Sequence, residues 1–539
     1  MDYSFHTRQN KSISKPIPGK RKFMKKNLAG GYAFKATDGV ALRRWLLTGS
    51  DSNAYYQKKN ELTDLNVELL VEMVSKDCEL VKDEILYATN FGLNNHAPIL
   101  ALVYLSMGWF QAKKNFVMIF PQVIRTASQL YEFMSYTRAL RGMGKVIHKA
   151  IKNWLEGKKV EDLEYQFLKY QNRYGFTGRD VLRMIKPVPA EKERSDLYKW
   201  IVGKANNDED YVEIARSGLH KIIVYDTMKN GDKTSESDVI NWIRHHKLTH
   251  EMIPANITRT KGVWNALFEK MPVGATVRNL GNLTEKGIFD KYENISILKD
   301  RFNKSSLGHG KIHPLALLSA LKIYQNGGGL GKSTLYWEPN ARVSDLLNDA
   351  IIDAFDMIEP TGKFFFHAID ISPSMTTKMN STLWMMACDI AATMALATVK
   401  VEDNYFIGGF ARSFANLPSI TKNTAFYDVM DHNYLRNLDI NWSGTDASTV
   451  YQYAIDNKMK VDVFCLWTDG ESWAGDYPCE VLKEYRRKIN PEARAVYITL
   501  VPYADKITLV DPDDKKSYDI CGFSSENIKL IQTIAKGDL

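Results

Sequence analysis

The sequence predicts an α plus α/β protein, in which a long array of helix pairs precedes one domain built on a parallel sheet. Three observations carry this. Apolar residues recur three and four apart from about residue 31 to 360. Beyond Pro360-Thr361-Gly362, short and nearly continuous apolar runs alternate with helices. At 539 residues, the chain is also longer than one ordinary core organises. Three spans follow: 1–30, 31–360 and 361–539.

Residues 1–30 place Lys11, Lys15, Lys20, Arg21, Lys22, Lys25 and Lys26 among prolines and glycines, and read as a basic flexible arm. From 31 to 360, segments such as LTDLNVELLVEMVSKDCELVKDEILYA, APILALVYLSMGWF and HPLALLSALKIYQ each place apolar residues on one helical face. No fixed period relates them, so the array reads as a solenoid of degenerate helix pairs. From 361 onward, strand-like KFFFHAI, NYFIGGF, VDVFCLW and ARAVYITL alternate with helical TLWMMACDIAATMALATV, EVLKEYRRKI and SENIKLIQTIA. Fully apolar strands alternating with helices mark a parallel sheet covered on both faces.

Composition excludes several classes. With 45% apolar and 25% charged residues the chain is neither disordered nor fibrous. Its start lacks the apolar core of a signal peptide, and no run approaches the roughly 20 apolar residues of a membrane span. Five cysteines, scattered and never C-x-x-C, suggest neither a disulfide framework nor zinc. A cytoplasmic chain with reduced thiols is expected. Up to Pro360 there are 53 Lys and Arg against 40 Asp and Glu; afterwards there are 18 against 23. A basic front and an acidic back suggest a polyanion partner for the front alone.

The first strand of the back domain ends in Asp370-Ile371-Ser372-Pro373-Ser374, a D-x-S-x-S at the carboxyl edge where open α/β sheets bind ligands. Ser443-Gly444-Thr445-Asp446 precedes a helix, and Asp469 follows the strand VDVFCLW. Magnesium wants six oxygens and keeps several waters. Hydroxyls of Ser372, Ser374 and Thr445 suit it as neutral ligands, while Asp370 and Asp469 orient its waters. Such a site, holding Mg²⁺ or another divalent cation, stays electrophilic and can take an acidic group from a partner. Alone, D-x-S-x-S is equally a helix N-cap sequence; three segments at three strand ends favour the metal. This constellation resembles a von Willebrand A domain with a metal-ion-dependent adhesion site. Pro373 and Ser443 depart from the family pattern without removing a ligand.

In the front half Arg138, Arg141, Lys145, Lys149 and Lys152 recur at helical spacing, with His148 adjacent, and predict one cationic helix face roughly 21 Å long. Glu132 is the only acidic residue between Ala101 and Ala150, so the charge is not self-neutralised. A solvated helix face is the alternative. Lys169, Tyr170, Arg173, Tyr174, Phe176, Arg179, Arg183 and Lys186 then interleave cations with aromatics, as unpaired bases require, although these aromatics also suit a helix core.

From about Gly31 onward, LRRWLLTGSDSNAYY, GKVIHKAIKNW, LKYQNRYGFTGRDVLR, VWNALFEKMP with VRNLGN, KIHPLALLSALKIY, IEPTGK and DPDDKKSYDICGF resemble, in one order, the Ro autoantigen family, whose front half is the TROVE domain. The resemblance implies a ring of HEAT-like repeats closed by the von Willebrand A domain. It also implies a Y-like small RNA on the outer face and single-stranded 3′ ends of misfolded RNAs in the central hole. A 3′-to-5′ exoribonuclease as partner and a monomeric state are further expectations. The family's Y RNA residues fall on Lys169, Arg173 and, by ungapped alignment, Lys186, where relatives usually carry histidine.

Gly327-Gly328-Gly329-Leu330-Gly331-Lys332-Ser333 resembles a phosphate-binding loop, but its first required glycine falls at Asn326 and a helix precedes it. No nucleophile with a base and no two-metal carboxylate cluster emerges, so no enzyme is expected. The alternative class is a protein-interaction scaffold gripping acidic partner residues through the metal site, with RNA incidental.

Overall fold

In the computed structural model, the described residues are 13–49, 59–92, 96–231, 234–310, 312, 314–329, 335–355, 360–376, 385–429, 433–435, 438–501, 503, 506–522 and 525–538. Residues 1–12 of the expected arm and 330–333 of the glycine-rich stretch lie outside them. No helix among the described residues is long and apolar enough to cross a membrane.

The front half is helical because its apolar periodicity is. Lys145–Glu156, for example, buries Ile147, Ala150, Ile151, Trp154 and Leu155 on one face. The Trp154 indole N–H also donates to the Ile124 carbonyl (2.5 Å). Thr126 with Gln129, Thr177 with Asp180 and Ser235 with Asp238 form capping boxes that start three of the helices. Helices pack on near neighbours in sequence. Asp38–Thr48 lies on Cys78–Phe91, which lies on Phe110–Val123; further along, Glu236–His246 lies on Lys261–Glu269 and Pro314–Gln325 on Ala341–Phe355.

Nine strands are described. β1 (Met24–Lys26), β2 (Tyr32–Lys35) and β8 (Ile507–Thr508) form a small antiparallel sheet. The other six are β3 (Phe365–Asp370), β4 (Tyr405–Phe410), β5 (Phe414–Asn416), β6 (Val463–Thr468), β7 (Arg494–Thr499) and β9 (Ser517–Cys521). Their order is β5-β4-β3-β6-β7-β9, parallel except for the antiparallel edge strand β5. Side chains alternate between two cores. Phe365 and Ile369 face the helix Ala387–Val401, buried from Ala387 to Val399, whereas Phe366 and Ala368 face Val450, Leu482 and Tyr485. This is a doubly wound α/β domain.

Both ends of the helical array meet that domain. Its first helix, Asp38–Thr48, packs on β9, and Pro314–Gln325 packs on the turn Phe426–Val429. At the first seam the Arg44 guanidinium donates to Asp519 and to the Ile507 carbonyl, both at 2.6 Å; the two charged side chains are only 6% and 11% exposed.

The flexible arm is corrected from Ile13 onward. Ile13 and Met24 are buried, and Lys20 pairs with the buried Asp511. The Asn27 amide donates to the Ser472 carbonyl (2.7 Å), and the Ala29 N–H donates to Glu471 (3.0 Å). A Cβ on Gly31 would stand 2.5 Å from the Ser472 carbonyl oxygen, so only glycine allows this approach. Lysine density hid a short alternation of apolar residues whose charged neighbours keep their heads in solvent or in ion pairs.

Candidate functional site: a buried oxygen cluster and an exposed cationic surface

At the carboxyl edge of the sheet, β3 delivers Asp370, β6 delivers Asp469, and the loop before the helix Ser448–Asp456 delivers Thr445. Asp370, Ser372, Ser374, Thr445 and Asp469 are all buried, at 2% exposure or less. Asp370 Oδ1 accepts from the Ser372 N–H (3.0 Å) and hydroxyl (2.6 Å), and the Ser372 and Ser374 hydroxyls lie 3.1 Å apart. Asp370 Oδ2 accepts from the Thr468 hydroxyl (2.7 Å). Asp469 Oδ1 accepts from the Glu471 N–H (2.9 Å), whereas its Oδ2 is buried without a hydrogen-bond partner. The Thr445 loop is tied to the Asp469 loop by the Trp473 and Ala474 N–H groups, which donate to the Thr445 carbonyl (3.0 Å each).

Burial pushes the pKa of both carboxyls up, and for Asp370 the charge of Asp469 adds to it. Two desolvated carboxylates, one with an unsatisfied oxygen, beside the Ser372 and Ser374 hydroxyls form a set that a hard divalent cation would neutralise. Asp370, Ser372, Ser374 and Asp469 thus lie together, and Thr445 is joined to them through its backbone carbonyl. Sequence reasoning missed Thr468, which holds Asp370, and Asp446, whose Oδ1 accepts from the Ser448 N–H (3.0 Å) and hydroxyl (2.6 Å). The signal for Asp446 was its place two residues before a helix; Thr468, a strand residue, offered none. Another group of potential ligands, Cys479, Glu480 and Asp511, is an ion-pair cluster in which Lys20 and Lys483 hold Asp511.

The cationic residues divide differently from the expectation. Arg138 to Lys152 is not one helix: Ala127–Leu140 ends at Arg141, and Lys145 begins the next helix. Gly142, at φ 78°, donates from its N–H to the Thr137 carbonyl (2.8 Å) and closes the first helix in a left-handed turn. Arg141 reaches back to the Ser106 carbonyl (2.6 Å) and hydroxyl (2.8 Å). The Arg138 guanidinium lies over the buried Phe176 ring, 4.5 Å from its centroid. Lys152 lies 3.7 Å from Glu156. Arg138, Arg141, Lys145, Lys149 and Lys152 remain exposed and His148 is half-buried.

Phe176 links this surface to the second basic group. Arg173 and Phe176 exchange backbone hydrogen bonds across a tight turn with Tyr174 and Gly175 at positive φ, and Tyr174 stands exposed on it. Phe176 is core, so Tyr174 is the outward aromatic of this turn. Arg173 is exposed. Lys186 caps Gly178–Ile185 and lines a shallow hollow with Pro187, Pro189 and Lys199. Lys169 instead sits half-buried, its ammonium donating to the Tyr165 hydroxyl (3.2 Å). Glu132, the only acid between Ala101 and Ala150, is buried; His96 pairs with it and the Tyr136 hydroxyl donates to it.

Residues 26–239 and 243–348 match the TROVE domain, and residues 364–535 match the Ro60 von Willebrand A domain. A Caenorhabditis elegans protein described as RNA-binding protein RO60 is 27% identical, over 95% of this chain and 90% of that protein. A Deinococcus radiodurans protein of the same description is 25% identical, over 95% of this chain and 96% of that one. The crystal structure of Deinococcus radiodurans RO (RSR) protein covers 93% of this chain and 100% of its own, with a TM-score of 0.67 at 24% identity. That last likeness concerns the fold.

Proposed function

Because the chain belongs to the Ro60 family, which joins a TROVE domain to a von Willebrand A domain, we propose that it is a non-catalytic RNA-binding protein of small-RNA quality control or decay. One observation carries this reading: Arg138, Arg141, Lys145, Lys149, Lys152, Arg173, Arg179, Arg183 and Lys186 all stand exposed on the helical region, while the acid nearest them in sequence before Glu156, Glu132, is buried. Exposed cations at this density suit a phosphate backbone.

On this reading Lys169, Arg173 and Lys186 hold a structured Y-like RNA on the outside of a helical ring. Lys145 and Lys149, with Arg138 and His148 beside them, take single-stranded 3′ ends of misfolded or defective RNAs at its central hole. A 3′-to-5′ exoribonuclease is the working partner, and the protein acts as a cytoplasmic monomer. Mg²⁺, or another divalent cation, is held by Ser372, Ser374 and Thr445, with Asp370 and Asp469 orienting its waters, and can accept an acidic group of a partner protein. Sequencing the RNA that co-purifies with the protein tests the reading. A structured small RNA together with heterogeneous 3′-tailed RNAs is expected, and no enrichment over background would sink it.

A further inference from the structure

Residues 469–477 join β6 to the helix Pro478–Lys488 without forming a strand or helix, yet they carry two supports of the metal site. The first of them is Asp469, and the Trp473 and Ala474 N–H groups hold the Thr445 carbonyl (3.0 Å each). Near Asp469 the loop's own hydrogen bonds are short-range. The Gly470 N–H donates to the Thr468 hydroxyl (3.0 Å) and the Glu471 N–H to Asp469 (2.9 Å). Short-range bonds leave a loop free to open locally unless a distant segment packs on it.

The opposite end of the chain supplies that segment. The Asn27 amide donates to the Ser472 carbonyl (2.7 Å), the Ala29 N–H to Glu471 (3.0 Å) and the Ile13 N–H to the Gly475 carbonyl (3.3 Å). The Tyr477 hydroxyl in turn donates to the Lys15 carbonyl. Asn27 and Glu471 are 6% and 0% exposed, so water does not replace a donor lost there. At Gly31 the two backbones touch: a Cβ would stand 2.5 Å from the Ser472 oxygen and 2.7 Å from the Trp473 Cα. The segment is braced away from the loop as well. Its Asn27 N–H donates to the Gly31 carbonyl (2.7 Å), the Tyr32 N–H donates to the Ile13 carbonyl (2.8 Å), and Lys20 pairs with Asp511.

We propose that residues 13–31 are a strap that regulates the metal site: docked, they hold the Asp469 loop, and through it Thr445, in the arrangement that binds the divalent cation. Asn27 and Gly31 are then positioning residues, which touch neither the cation nor its ligands. Groups that orient metal ligands from outside commonly change metal affinity by about 10- to 100-fold. The coupling is reciprocal, so a bound cation must hold the strap down by the factor with which the docked strap favours the cation. The inference rests on the metal reading of the oxygen cluster and adds its control. Arg21, Lys22 and Lys26 of the strap stay exposed, and a ligand that draws them off the loop lowers cation affinity.

Titration calorimetry of Mg²⁺ into the full chain tests it. Asn27→Leu keeps the size and removes the donor, and Gly31→Ala presses on the loop backbone; each should weaken Mg²⁺ by on the order of tenfold. Arg486→Ala breaks an ion pair with Asp514 at the amino edge of the sheet, away from both strap and site. It should lower the melting temperature and leave Mg²⁺ affinity unchanged, which separates positioning from stability. Conversely, saturating Mg²⁺ should slow tryptic cleavage after Arg21, Lys22, Lys25 and Lys26 in the wild type by up to the same factor, and not in Asp370→Ala. Strap variants that bind Mg²⁺ like the wild type, or an Arg486→Ala variant that loses as much affinity as they do, overturn the strap and leave the metal reading standing. A wild type that binds no Mg²⁺ overturns both. Should both strap variants fail to fold by circular dichroism, the tryptic rates decide, and cleavage indifferent to Mg²⁺ overturns the strap.

Discussion

In the helical region, Lys145 and Lys149 on one helix, Arg173 on a turn and Lys186 at the end of another helix stand in solvent. At the sheet edge, Asp370 and Asp469 are withdrawn from water, surrounded by hydroxyls and raised in pKa. The two regions place charge according to the ligand they suit. A polyanion is long, so its recognition can be shared among exposed cations whose individual losses are small. A divalent ion is a point, so its ligands must converge and be dehydrated, and losing one costs the site.

The seam between the regions gives the largest expected effect, because there the helical array also buries charge. Asp519→Ala leaves the Arg44 guanidinium buried without its carboxylate and should destabilise the protein by about 3–5 kcal/mol in urea unfolding. Replacing both partners by apolar residues should cost less. A loss near zero for the single variant would mean that the seam does not hold the two regions together.

Next comes the point-like site. With free Mg²⁺ at a hundredfold its dissociation constant, linkage should stabilise the wild type by about 2.7 kcal/mol. Asp370→Ala should show no Mg²⁺-dependent rise in melting temperature, while its RNA affinity changes little. A full Mg²⁺ response in the variant removes the metal from this site, and a large loss of RNA binding erases the contrast between the regions.

The distributed surface should yield in steps. Lys169→Ala, Arg173→Ala and Lys186→Ala combined should cost about tenfold or more for structured RNA, measured by filter binding, and spare an unstructured 3′-tailed RNA. Equal loss of both RNAs would mean one shared surface. The smallest effect concerns Lys145→Gln with Lys149→Gln. Two phosphates released on a single strand should flatten the plot of log affinity against log salt by about 1.4. Arg141→Gln should flatten it less, because that guanidinium already donates to Ser106. A slope that stays put in the double variant takes these lysines off the RNA path.

Much of this was legible in the residues. Asp370, Ser372 and Ser374 follow one apolar run and Asp469 another, so strand boundaries alone brought these four to one edge, whereas Thr445 lies in the loop before the helix Ser448–Asp456 with no described strand leading into it. The break at Arg141 was legible too, since Gly142 and Gly144 flank a helix stop, but the regular spacing of cations across it concealed the break. Tyr174 and Phe176 could not be separated into surface and core by interleaving alone. One points outward from a tight turn and the other is 3% exposed beneath Arg138.

The sequence by itself determined the order of the two regions, the edge of the sheet that carries Asp370 and Asp469, and the excess of cations in front. Each is a property of local periodicity or of composition, which needs no knowledge of distant contacts. Only the tertiary structure decided that β1 pairs with β2 and β2 with β8, that Arg44 meets Asp519, and that Lys169, Lys247 and Lys270 share one pocket. These pairings join segments far apart in the chain, and the packing of whole helices and sheets, not local preference, sets which of many polar side chains face each other.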